Sequence, residues 1–135
     1  MASVVYELVK GVPYIKAEVF GICKSLTGRF IIDTGAAMTI VRTARIDALG
    51  FSARDATGLF STDSVVGREE GYRLVIPRLD IFCESLSNIE VAAMDLPSKY
   101  QIDGLIGMNL LGLFNFCFFP GRGIIRATPR KSAKL

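Results

Sequence analysis

Arg29-Phe30-Ile31-Ile32-Asp33-Thr34-Gly35-Ala36-Ala37-Met38-Thr39 carries more information than any other part of this chain. An apolar run ends on a carboxylate, and a small hydroxyl residue, a glycine and two alanines follow at once. The apolar run is wrong for a solvated loop. It reads as a strand that delivers Asp33 to a place of restricted solvation, which suits acid–base work. The small residues after it allow another backbone to come close. By itself Asp-Thr-Gly is a common string, usually a surface turn capped by its aspartate, and one carboxylate is only half the machinery for hydrolysis through a water.

Absent residue types narrow the chemistry. The 135 residues include no histidine, which removes serine–histidine and cysteine–histidine catalysis and histidine-ligated zinc together. Proton transfers near neutral pH are left to carboxylates, lysines or a bound cofactor. Cys23, Cys83 and Cys117 are widely spaced, without the close pairing of a zinc or redox motif, and read as reduced, mostly buried small hydrophobes. No metal and no cofactor are expected.

Outward from Asp33 the chain consists of short apolar runs between glycine and polar punctuation, an all-β pattern with little helix. Tyr14 to Phe20 is expected as a strand, Gly21 to Gly28 as a connection, and Arg29 to Ile32 as the partner strand. Val41 to Leu49 reads as a helix with Val41, Ala44 and Ala48 on one face and Gly50 as its left-handed stop. Thr57 to Thr62 and Arg68 to Ile76 form a long hairpin around residues 63–67, closed by Pro77. Leu79 to Cys83 and Ile89 to Met94 follow as strands joined through Ser85, Ser87 and Asn88. A short helix at Asn109 to Phe114, a strand at Asn115 to Phe119, a turn at Pro120 to Gly123 and a last strand at Ile124 to Arg126 complete the reading. Residues 1–126 are expected to be one domain and 127–135 a basic, flexible tail.

Downstream, Asp103-Gly104-Leu105-Ile106-Gly107-Met108-Asn109-Leu110-Leu111 adds a second signature. With Ile31-Ile32 entering Asp33-Thr34-Gly35-Ala36, it resembles the retropepsin-like aspartic proteases. There a strand enters Asp-Thr-Gly-Ala, and a later apolar pair followed by glycine packs behind that loop. The helix, hairpin and Gly107 segment also fall in the family's order, so the resemblance spans roughly residues 14–125. Ala93-Met94-Asp95 shortly before Asp103 is most similar to the single-domain bacterial members.

The resemblance implies a small closed β-barrel of the retropepsin type, one lobe per chain, acting as a homodimeric endopeptidase on extended peptide or protein substrates. Asp33 would be catalytic, meeting its own copy across a twofold axis. Thr34 would hydrogen-bond across the dimer, and Gly35 and Ala36 would complete the loop. Ser64, Val65 and Val66 would form the hairpin tip over the substrate, while Leu105, Ile106 and Gly107 would support the site by packing. Asp103 reads as a turn residue.

Two other function classes compete. A retropepsin-type barrel can serve as a non-catalytic peptide-binding or scaffolding module, since fold does not fix function. Ile-Ile-Asp-Thr-Gly also loosely resembles the phosphate loop of sugar kinases, whose two large α/β domains exceed 135 residues. The net charge of +3 is mild, and its cluster at Arg122, Arg126, Arg130, Lys131 and Lys134 falls mostly on the expected tail. No nucleic-acid partner is expected on that ground. Neither a leader nor a membrane span is expected from the apolar runs, so the reading is a cytoplasmic protein without membrane contact.

Overall fold

The computed structural model of the chain describes residues 2–64, 67–99 and 101–130. In order come β1 (Ala2–Val5), β2 (Glu7–Val9), β3 (Val12–Phe20), β4 (Ser25–Ile32), β5 (Ile40–Arg42) and α1 (Thr43–Ala48). They are followed by β6 (Gly58–Ser64), β7 (Gly67–Ile81), β8 (Glu84–Met94), β9 (Gly104–Ile106), α2 (Met108–Leu111), β10 (Phe114–Phe119) and β11 (Ile124–Pro129). The chain is all-β in class, with two short α-helices among the described residues. One sheet runs β2-β3-β4-β9-β5-β8-β7-β6, and a further pairing of β3 with β7 closes six of its strands into a ring. A separate sheet, β1-β11-β10, joins the two ends of the chain.

Alternation along the strands sorts their side chains into two apolar clusters. In β3, Ile15, Ala17 and Val19 turn inward while Lys16 faces out. In β8, Val91 and Ala93 join the main core, and Ala92 and Met94 join a smaller cluster on the other face. Burial of both faces explains why Val91-Ala92-Ala93-Met94 is an unbroken apolar run rather than an alternating one. The division continues through β5, where Val41 faces the core and Ile40 the smaller cluster, and through β9, where Ile106 and Leu105 part in the same way.

Several elements differ from the sequence reading. The helix begins at Thr43, because Ile40–Arg42 pairs with β8 and β9 first. Its buried residue is Ile46, with Leu49 just beyond, while Ala44 and Ala48 are exposed. The larger apolar side chains gain more from burial. Gly50, at φ +94°, ends it as expected. β4 starts at Ser25, so the connection after β3 is only residues 21–24.

β7 runs through Pro77 to Ile81. Pro77 lies opposite Asn88, which takes a left-handed conformation (φ 54°), so the missing N–H falls at a local irregularity of the ladder. The turn into β8 is Phe82-Cys83, both at positive φ, with Ile81 paired to Glu84. Ser85, Ser87 and Asn88 lie in β8 instead. A two-residue turn of this kind usually announces itself by Asn-Gly or Asp-Gly. Here Phe82 is held by burial and by an edge-to-face contact with Phe114, centroids 5.2 Å apart.

α2 ends at Leu111, and β10 begins at Phe114. β11 continues to Pro129, past the point where the tail was expected to begin; residues 131–135 lie outside the described ones. The arginines of the basic cluster are partly folded in. Arg122 and Arg126 stand over the Phe119 ring, and the Arg130 guanidinium donates to the Gly112 carbonyl at 2.9 Å. All three cysteines are free and exposed, against the expectation of burial. Cys83 sits in the tight turn, Cys23 in the β3–β4 connection, and Cys117 on an outward position of β10. No helix among the described residues is long and apolar enough to cross a membrane.

Candidate active site

β4 and β9 run parallel, with Ile31 beside Leu105 and Ile32 beside Ile106. The ladder extends one residue further, as Asp33 N–H donates to the Ile106 carbonyl at 3.0 Å. The chain then turns sharply. Gly35 N–H donates to Asp33 Oδ1 at 2.9 Å, and Ala36 N–H to the Asp33 carbonyl at 3.2 Å. Asp33 is half-buried, whereas Thr34 and Gly35 are exposed.

The loop is tied from behind to the segment after β9. Met108 N–H donates to the Ala36 carbonyl at 2.7 Å and Asn109 N–H to the Ala37 carbonyl at 3.0 Å, which satisfies donors at the start of α2. Gly107 makes this approach possible. A Cβ there would meet the Met38 carbonyl oxygen at 2.6 Å and that of Ala36 at 2.9 Å.

Thr39, the buried polar residue of the described chain, is the centre of a second tie. Its N–H and its hydroxyl both donate to Asn109 Oδ1 at 2.8 Å, and the hydroxyl accepts from Gly107 N–H at 3.1 Å. Asn109 Nδ2 donates to the Glu90 carbonyl at 2.8 Å, so one amide links the loop, α2 and β8. The sequence reading did not assign this pair. Its signal was a hydroxyl residue inside the apolar run Met38-Thr39-Ile40-Val41, because a buried polar group needs a partner.

The sequence-assigned residues therefore divide. Asp33, Gly35, Ala36 and Gly107 come together in one hydrogen-bonded unit, with Thr34 exposed within the same loop. Ile106 lies in the main core beneath it, fully buried, and Leu105 faces the smaller cluster. Ser64 closes β6 opposite Gly67, while Val65 and Val66 lie outside the described residues. Asp103 is a brace: its carboxylate accepts from Arg29 N–H at 2.8 Å and from Arg45 Nε at 2.7 Å.

Strand parity places Asp33 on the same side of the sheet as Ile31, and hence as Leu105, Ile40 and Ala92 across the ladders. The carboxylate thus lies on the face of the sheet that carries the smaller apolar cluster of Ile40, Ala92 and Met94. Met38, Phe60, Leu96 and Leu105 pack against that cluster and are only partly buried. A half-buried acid beside a partly open apolar surface can exchange protons with a bound chain whose side chains rest on that surface.

A family model described as aspartyl protease matches residues 15–110, from β3 into α2. The chain belongs to the aspartyl protease family. Among solved structures, this aspartyl protease family member is similar to a retropepsin-like aspartic protease from Rickettsia conorii. The TM-score is 0.66 at 20% identity, over 93% of this chain and 92% of that one. It is also similar to EIAV protease complexed with the inhibitor HBY-793, with TM-score 0.60 and 19% identity over 81% and 92% of the two chains. These likenesses establish a retropepsin-like fold. No curated protein matches the sequence.

Proposed function

We propose that this chain is one half of an aspartic endopeptidase, in which two copies bring two Asp33 carboxylates around a single water. The observation that carries the reading is the one-sided support of the Asp33 loop. It is hydrogen-bonded from behind through Ala36, Ala37 and Thr39, while Thr34 and Gly35 project outward. In the dimer the two acids share one proton. The ionised carboxylate takes a proton from the water, whose oxygen attacks the peptide carbonyl carbon, and the protonated acid donates to the carbonyl oxygen. Collapse of the tetrahedral intermediate breaks the C–N bond, with the proton delivered to the departing nitrogen. Thr34 hydrogen-bonds to the other subunit, and the β6–β7 hairpin covers an extended peptide.

Gly35 gives a specific expectation. Its φ is not in the left-handed region, and a Cβ there would meet only Asp33 Oδ1, at 3.3 Å. Nothing else among the described residues crowds this position, so in this reading glycine serves the close approach of the second copy. Gly35→Ala is expected to leave the melting temperature of the isolated chain within about 2 °C while weakening dimerisation, read by analytical ultracentrifugation, and peptide cleavage together. A dimer as tight as the wild type would contradict that arrangement.

The function itself is tested by exposing a mixed peptide library to the purified protein from about pH 3 to 7, which spans ordinary carboxyl titration. Products are read by mass spectrometry with Asp33→Asn alongside. Cleavage confined to the wild type supports the peptidase. A dimer that cleaves nothing at any pH would instead favour the non-catalytic peptide-binding reading.

A further inference from the structure

Arg42 ends β5 on the side of the sheet that carries Ile40, one step beyond the smaller apolar cluster and paired with Met94. Its side chain does not run out to solvent. Nε and Nη2 donate to the Ile102 carbonyl at 3.0 and 2.8 Å, and Nη1 donates to the Leu96 carbonyl. One guanidinium therefore grips both ends of the segment between β8 and β9, and Arg42 N–H reinforces it with a bond to the Asp103 carbonyl at 2.7 Å. That segment presents Leu96, which packs on Ile40, Ala92 and Met94 beside Met38, Phe60 and Leu105. This apolar surface is on the same face of the sheet as Asp33.

We propose that Arg42 is a positioning residue for the substrate cleft, holding the 95–102 segment so that Leu96 completes a subsite for a large aliphatic side chain next to the cleaved bond. The inference rests on the peptidase reading above and names a substrate preference for that site. Its physical basis is the planar fork of arginine. Charge-assisted bonds to two carbonyls separated in sequence need several fixed donors in one plane, which a lysine ammonium does not offer. Leu96 contributes area to a side chain laid across the cluster, and a peptide with alanine at that place makes little use of it.

The test uses the full chain and peptides taken from those the wild type cleaves, in pairs differing only by leucine or alanine beside the cleaved bond. Arg42→Lys and Arg42→Met are expected to raise KM for the leucine peptide about ten-fold, in the range that apolar subsites discriminate. KM for the alanine peptide should stay near the wild-type value, and kcat for either peptide within about three-fold. Leu96→Ala should reproduce that KM pattern without loosening the segment. Hydrogen exchange supplies a readout that needs no activity: the amides of Asp95, Leu96, Ser98, Lys99, Gln101 and Ile102 exchange faster in both Arg42 variants, with the core strands unchanged. Equal losses of kcat on both peptides, or exchange in the segment identical to wild type, would overturn the proposal. If the wild type cleaves no peptide, it is the peptidase reading that fails. The exchange result still decides whether Arg42 holds the segment.

Discussion

Replacing Asp33 by asparagine is expected to remove peptide cleavage, and an excess of the variant subunit is expected to remove it from the wild type as well. Asparagine keeps the shape and an acceptor oxygen for Gly35 N–H, which lies 2.9 Å from Oδ1. The loop geometry should therefore survive, with its ties through Ala36, Ala37 and Thr39 untouched. What is lost is a group that can take up and release a proton. General acid–base groups account for about 100- to 10,000-fold of rate, and here one substitution removes both the acid and the base of a symmetric pair. Mixing sharpens the prediction. If each site needs an Asp33 from both copies, nine parts of variant to one of wild type leave about a tenth of the wild-type subunits facing another wild-type subunit after random exchange. Activity per wild-type subunit should fall by the same factor, read with a fluorogenic peptide. Activity indifferent to added variant, under conditions where subunits exchange, would show that one chain carries a complete site.

The second large effect is expected at Asn109. Asn109→Ala leaves Thr39 N–H, the Thr39 hydroxyl and the Glu90 carbonyl without their partner in a largely buried region. Each buried group left unsatisfied costs about 1–3 kcal/mol. Because Asn109 is only half-buried, water can recover part of this, and the net loss is expected near 2–4 kcal/mol. That is a large fraction of the stability of an ordinary domain, about 5–15 kcal/mol. Urea denaturation checks it, with Thr39→Val as the partner variant. The two changes together should cost clearly less than their sum, because both disrupt one network. Additive losses would mean that Thr39 and Asn109 act independently. Activity should fall more steeply than stability, since Thr39 follows Asp33 by six residues and its tie to α2 fixes the loop.

Much of this was visible along the chain. The apolar run into Asp33-Thr34-Gly35 and the later Leu105-Ile106-Gly107 were readable because strands leave runs of a few apolar residues and sharp turns leave glycine. The class and family followed from them. What misled was local. Phe82-Cys83 turns without any turn-forming residue because the Phe82 ring is buried against Phe114. β1 went unassigned, since the pairing of Ala2–Val5 with β11 joins opposite ends of the sequence, and so did β2, although it pairs with β3 through the tight turn Lys10-Gly11. The cysteines were placed inside on composition, while strand parity and turn position put them outside.

The amino-acid sequence by itself determined the chemistry on offer: one carboxylate in Asp-Thr-Gly, no histidine, and strands rather than helices to carry it. Those are properties of residue type and short-range period, and they do not depend on what lies opposite. Tertiary structure alone decided that Thr39 and Asn109 meet across 70 residues, and that Arg42 reaches back from β5 to the carbonyls of Leu96 and Ile102. Hydrogen bonds of this kind join groups whose neighbourhood is set by the closed sheet, and no local pattern encodes a partner that far along the chain.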